Sequence, residues 1–238
     1  MKNIETKATN SLLLRDLKLN YQNKKIVIVG LGGTALELIM QLVAIDFKNY
    51  ILVDYDKVNV TNLNRQFLFQ KKDVGRLKSE VIEEYIRNNV ENSKIVCHNK
   101  KILFYSDMSE ILLQTNKNDL LVCCADSPPL KIEKILIESS YKNDIAFITA
   151  GVGINIGSIG PLLITKRAKK RYVSLIERKL SETKKMEVLK YSDGITNSYI
   201  SLLLAKAVIS YILEIKEFPR NRVFIYEFNK IYEKGIKI

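Results

Sequence analysis

With 238 residues, of which 47% are hydrophobic and 8% aromatic, the chain has the apolar content to bury a large core and does not read as a disordered polymer. It has no run of about eighteen apolar residues and no charged, apolar, small-residue order at its start, so a cytoplasmic protein with no membrane role is expected. The formal net charge of +12 raises nucleic acid as a partner, but ten Lys or Arg against three Glu fall between residues 166 and 190, which makes the excess one local feature. The three cysteines, Cys97, Cys123 and Cys124, form no C-x-x-C and no zinc ligand set; they read as small core hydrophobes, and no zinc is expected.

Residues 1–24 form a lead-in in which Ser11 to Leu19 has the pattern of a short amphipathic helix carrying Arg15. The β-branched run Ile26 to Val29 runs into Gly30, Gly32 and Gly33 and then into an apolar-periodic stretch, Thr34 to Ile45. Strand, tight turn and helix in that order outline a phosphate site. Glycines let backbone approach a polyphosphate, and the first-turn N–H groups favour the anion. A second strand, Tyr50 to Val53, ends in Asp54, about twenty residues beyond the glycines, where a carboxylate accepts from ribose hydroxyls. The loop Tyr55 to Lys72 is too long for an ordinary connection, and long loops in compact domains are usually functional.

Beyond it the pattern predicts a helix over Val74 to Asn89, a strand over Lys94 to Cys97, a helix over Ser106 to Gln114 and a strand over Asp119 to Cys123. A helix over Pro128 to Tyr141 and a strand over Ile145 to Thr149 follow. Such alternation means an α/β, Rossmann-like, mostly parallel sheet with helices on both faces. After Gly151 the glycine-spaced segment suits a strand turning antiparallel at the sheet's edge. Residues 166–194 read as a basic linker or crossover, Ile195 to Ile215 as a core helix capped by the turn Tyr191 to Gly194, and Arg222 to Asn229 with the last residues as a hairpin. The expected organisation is a core over 25–165, a crossover over 166–194, and a segment over 195–238 that completes the same domain.

The glycine turn, the tip Asp54-Tyr55-Asp56, the run Asn62-Leu63-Asn64-Arg65-Gln66, Lys78 after Gly75-Arg76, and Asp126 after the fourth strand together resemble the adenylation domain of the ubiquitin-activating-enzyme superfamily, the ThiF, MoeB and HesA type. The resemblance covers about Lys25 to Pro161. Within the superfamily, ADSPP followed by FITAGVG and IGSIGPLLI is most similar to the microcin C type of peptide adenylyltransferase.

The resemblance implies ATP and Mg²⁺ as cofactors and the C-terminal carboxylate of a small protein or ribosomally made peptide as substrate. Arg65 and Lys78 would contact the phosphates, Asp126 would hold Mg²⁺, Asp54 would bind ribose, and Asn62 and Gln66 would line the phosphate pocket beside Gly30, Gly32, Gly33 and Asp56. It also implies a homodimer or a heterodimer with a related subunit. The sequence departs from the family's pattern in three places. Ala35 replaces a third glycine, no R-x-x-R-Q segment precedes the first strand, and no cysteine follows Cys124 to carry a thioester. Two other readings stay open: a tRNA-modifying relative, and a non-catalytic nucleotide-binding subunit. An NAD-binding dehydrogenase gives no role to Arg65, Lys78 and Asp126. The cations Lys169, Lys170 and Arg171 are expected to help capture a peptide or protein substrate, with nucleic acid disfavoured.

Overall fold

In the computed structural model, which describes residues 21, 23–182, 192–215, 218–228 and 232–237, the strands join into one eight-stranded mixed sheet. The first part of the chain alternates strictly, from β1 (Ile26–Val29), α1 (Gly33–Ala44), β2 (Asn49–Val53), α2 (Lys78–Asn89) and β3 (Lys94–His98) to α3 (Tyr105–Leu112), β4 (Leu120–Cys123), α4 (Lys131–Asn143) and β5 (Ala146–Val152). It continues through β6 (Ile156–Ile159), α5 (Lys166–Glu182), α6 (Gly194–Ile212), β7 (Arg222–Glu227) and β8 (Tyr232–Lys237). The spatial order is β3-β2-β1-β4-β5-β6-β7-β8. Pairs from β3 to β5 are parallel, and those from β5 to β8 antiparallel. This is the Rossmann-like arrangement the alternation predicts, with antiparallel strands at the C-terminal edge.

Strand β1 is apolar throughout because both its faces are covered. Ile26 and Ile28 enter a core with α1, α2 and α6, while Val27 and Val29 enter the opposite one with α3, α4 and α5. The chain runs outward through β2 and β3 and then returns to lay β4 against the other side of β1. That reversal opens a crevice beyond the carboxyl ends of β1 and β4, the place where open α/β sheets bind ligands. Helix α6 is long and apolar enough by composition to cross a membrane. Here Ile200, Leu204, Ala207 and Val208 lie in the core instead, and Ser201 Oγ accepts from Leu38 N at 3.0 Å, joining α6 to α1.

Several boundaries differ from expectation for visible reasons. Helix α2 starts at Lys78 rather than Val74. Val58 N donates to Arg76 O and Gly75 N to Val58 O, both at 2.9 Å, so this stretch is bridged to the long loop before it can coil. Helix α4 starts at Lys131 rather than Pro128, after two prolines and Leu130 at φ 56°. The predicted helix over Ser11 to Leu19, and Arg15 with it, lies outside the described residues.

The basic segment, expected as a linker or crossover, is helical over most of its described part. Residues Lys166–Glu182 form the seventeen-residue helix α5, in which Ala168, Tyr172, Val173 and Ile176 recur at helical spacing and pack toward α4 and the sheet. Tyr172 OH donates to Glu133 Oε1 at 2.6 Å, and Lys134 pairs with Glu177 at 2.8 Å. Lys169, expected among the substrate-capturing cations, is instead 0% exposed. Its ammonium donates to Ser140 O and Ile145 O and lies 3.9 Å from Asp144 Oδ1, pinning α5 to the turn between α4 and β5.

Burial lowers the Lys169 pKa from 10.5 to about 8, against the Asp144 carboxylate, which raises it, and with a small push from Lys166. Between those two values the unfolded chain binds the proton that the folded chain has lost, so this group makes stability rise with pH. Denaturant melts from pH 7 to 10.5 are therefore expected to show wild type gaining stability relative to Lys169→Met through that window. A constant difference between the two would show that Lys169 keeps an ordinary pKa.

Candidate nucleotide site

At the end of β1 the backbone turns through Gly30, Leu31 and Gly32 into α1. Gly30 has φ +88°, and a Cβ on it would stand 2.6 Å from the backbone nitrogen of Ala125, so only glycine lets the loops after β1 and β4 meet here. Gly33 opens the helix against a second neighbour: a Cβ there would stand 2.7 Å from Asn197 Oδ1 on α6. Gly32 provides no side-chain cap and no acid occupies the first turn, which leaves the first-turn amides and the positive helix end to a ligand. Ala35, where the resemblance expects a third glycine, is fully buried between helix and sheet.

The acidic tip after β2 closes one side. Asp54 Oδ2 accepts from Leu31 N at 2.6 Å and Oδ1 from Asp56 N at 2.7 Å, so this carboxylate ties the glycine turn to the loop while keeping lone pairs for a ribose hydroxyl. Asp56 pairs with Lys78 at 3.1 Å, and Lys78, the first residue of α2, is only 6% exposed. A buried cation thus stands at the cleft, paired among the described residues with one carboxylate.

The long loop supplies the opposite wall. Asn59 and Asn62 cap each other through a reciprocal pair of side-chain bonds that holds the short 3-10 turn Val60–Asn62. Arg65 Nη1 donates to Thr61 O at 2.9 Å and to Asn64 Oδ1 at 3.0 Å, fixing the guanidinium while Nε and Nη2 keep three donors for a ligand. Gln66 is 4% exposed, and its Oε1 has no hydrogen-bond partner among the described residues. A buried acceptor without a donor is costly, and a ligand hydroxyl or amine would satisfy it. Asp126 stands exposed just after β4, across the cleft.

These residues line one cleft of about 330 Å³: Gly30, Gly32, Gly33, Asp54, Asp56, Asn62, Arg65, Gln66, Lys78 and Asp126 all border it. The structure adds walls that the sequence did not announce. Tyr55, Lys100, Lys101 and Ile102 form the end beyond β2 and β3, with the Lys101 ammonium 5.0 Å above the Tyr55 ring, and Ser192 and Asn197 come from the start of α6. The adjacent lysines at a strand's carboxyl end were the one available signal.

His98 ends β3 outside this lining, and burial lowers its pKa. Burial likewise raises the Cys97 and Cys123 thiols to about 12, so neither is a thiolate nucleophile near neutral pH.

Comparison with known proteins places this geometry in context. The ThiF family model matches residues 9–237. The NEDD8-activating enzyme E1 catalytic subunit of Caenorhabditis elegans is 34% identical over 110 residues, 46% of this chain and 24% of that protein. Its Arabidopsis thaliana counterpart is 40% identical over 94 residues, 37% of this chain and 21% of that protein. The matched part of this chain therefore spans less than about a quarter of these relatives' length. Among solved structures, E. coli MccB with ATP superposes with a TM-score of 0.76 at 23% identity, covering 98% of this chain and 68% of that one. PaaA superposes with a TM-score of 0.79 at 17% identity, covering 100% and 84%. At these identities the structural likeness is one of fold.

Proposed function

Because the chain belongs to the ThiF family, we propose that it is an ATP-dependent adenylyltransferase that activates the C-terminal carboxylate of a small protein or peptide. The observation that carries this reading is the meeting of the glycine turn, half-buried Arg65 and buried Lys78 around one crevice, with Asp126 on its far side. The relatives' names, which speak of NEDD8 and of MccB with ATP, support it.

In the proposed reaction a carboxylate oxygen forms a bond to the α-phosphorus of ATP, the bond from that phosphorus to the pyrophosphate oxygen breaks, and an acyl-adenylate and pyrophosphate result. Two anions must approach, so fixed positive groups dominate the chemistry. Arg65 presents a planar fork to several phosphate oxygens, Lys78 acts as a point charge, and the α1 amides cradle the chain of phosphates. Asp54 and the unpaired Gln66 Oε1 are left to accept from ligand hydroxyls. A Mg²⁺ ion fits the donor set, since that metal takes one or two carboxylates and completes its shell with phosphates and water, and Asp126, exposed on the cleft border, would be the carboxylate to hold it. Bound there, Mg²⁺ would neutralise charge on the departing pyrophosphate. Ile195, Tyr199 and Leu202 form an exposed apolar stripe on α6, which supports pairing with a second copy or a related subunit.

Ligand choice tests the reading. Calorimetric titration is expected to show ATP with Mg²⁺ binding far more tightly than NAD, because the cations are grouped for a triphosphate. Equal affinity for NAD, or no ATP binding, would remove the proposal.

A further inference from the structure

Helix α5 is held by one face only. Its inner side carries Lys169, Tyr172 and Ile176 against α4 and the sheet. Its outer side presents Lys166, Arg167, Lys170 and Arg171, all exposed, and none of the four has an ion pair among the described residues. Some surface cations elsewhere have acids, Arg76 with Asp73 and Glu84, Arg87 with Glu83, Lys100 with Asp107, whereas these four stand together on one helix face without one. The two acids of α5 are turned elsewhere, Glu177 to Lys134 and Glu182 to Arg178. Lys166 with Lys170, and Arg167 with Arg171, are like charges four residues apart, a spacing that works against a helix. The inner contacts hold the helix despite this repulsion.

The helix also has a direction. Its start lies by the end of α4, where Lys169 meets Ser140, and its Glu177 lies by the first turn of α4, where it meets Lys134. That first turn follows Asp126, and Ile132 within it borders the cleft. Residue 192, beyond α5, borders the cleft as well. The helix therefore runs from its cationic patch, at the end away from the cleft, toward the mouth of the nucleotide site.

We propose that the outer face of α5 docks an acidic segment of the polypeptide whose carboxylate enters the cleft, a statement that rests on the adenylyltransferase reading. From Arg167 to Glu177 the helix rises about 15 Å. An extended strand covers that span in about five residues, and a few more reach from the mouth to the reacting phosphorus. The substrate's acids thus lie about six to ten residues before its C-terminus. A nucleic-acid backbone fits less well, because toward the mouth Glu177 and Glu182 offset Lys134 and Arg178, so the cations without an acid are confined to the start of α5, while a nucleic acid would carry charge along the whole path and a peptide need not.

The test uses the full chain and fluorescein-labelled peptides with a free C-terminus, carrying a block of Glu, Gln or Lys about eight residues upstream. Oligouridylate serves as the nucleic-acid arm. Fluorescence anisotropy is expected to show wild type preferring the Glu peptide to the Gln peptide by about tenfold or more. The charge-swapped variant R167E/K170E/R171E is expected to lose that preference and to take the Lys peptide instead, a rescue that a purely structural role would not give. R167Q/K170Q/R171Q, gentler on the fold, is expected to lose the preference without the swap. The proposal is overturned if the Glu preference is absent or survives in both variants. It is equally overturned if the variants lose oligouridylate while keeping the Glu peptide. ATP titration of every protein separates the two readings: wild type failing to bind ATP would sink the adenylyltransferase, whereas variants that bind ATP normally but lose the Glu preference isolate the docking face.

Discussion

Changing Lys78 to methionine is expected to weaken ATP binding by about 10- to 100-fold, the worth of a hydrogen bond to a charged group. Pyrophosphate exchange with the cognate substrate should fall further, by about 10²- to 10³-fold, as when one oriented charge stabiliser is removed from a reaction centre. Methionine keeps the buried stem, and Asp56, half-exposed, is left in water, so the fold should survive. Arg65→Ala and Asp126→Ala are expected to lose exchange as well while melting like wild type. Calorimetry and an exchange assay check this. A Lys78→Met protein that binds and exchanges like wild type would mean that the cation in the cleft does not face phosphate.

Gly30→Ala is expected to be strongly destabilising for so small a change. At φ +88° the new methyl opposes the backbone, and it would stand 2.6 Å from the Ala125 nitrogen, which belongs to a loop locked by Cys124 N donating to Val29 O at 2.8 Å. Left-handed strain and overpacking together cost about 2–4 kcal/mol, or about 4 to 16 °C in Tm. Gly75→Ala provides the contrast, because Gly75 has φ +91° but a Cβ there meets nothing within 4 Å. It should pay only the backbone strain, about 1–2 kcal/mol. Thermal melts that rank the two equally would show that the contact between the loops after β1 and β4 is softer than its distances.

The parts of the fold that could be read from sequence are those whose cause is local. A β-branched run, three glycines and an apolar period specify β1, the turn and α1 within twenty residues, and Asp54 follows because strands end where their apolar run ends. The residues bordering the cleft were legible for a different reason: their types and order match a known pattern, which composition alone would not have yielded. Helix α5 was hidden by its own charge. Ala168, Tyr172, Val173 and Ile176 have helical spacing, yet Lys and Arg dominate the segment and suggested a solvated linker. Lys169 was unreadable in principle, since what buries it is a pair of carbonyls at Ser140 and Ile145, supplied by the turn that precedes β5. Lys101, Ser192 and Asn197 reach the cleft only because the sheet order brings distant loops together.

The contact between Gly33 and Asn197 also bears on the order in which the protein is made. One wall of the cleft, Ser192 and Asn197, comes from residues translated about 160 positions after the phosphate turn. At about 5 to 20 residues per second, a growing chain carries its glycine turn for roughly 10 to 30 seconds before the wall leaves the ribosome. During that interval the first strands can pair while the nucleotide cleft is still unwalled on the α6 side. A chain that stalls before α6 has emerged carries the motif without a finished pocket.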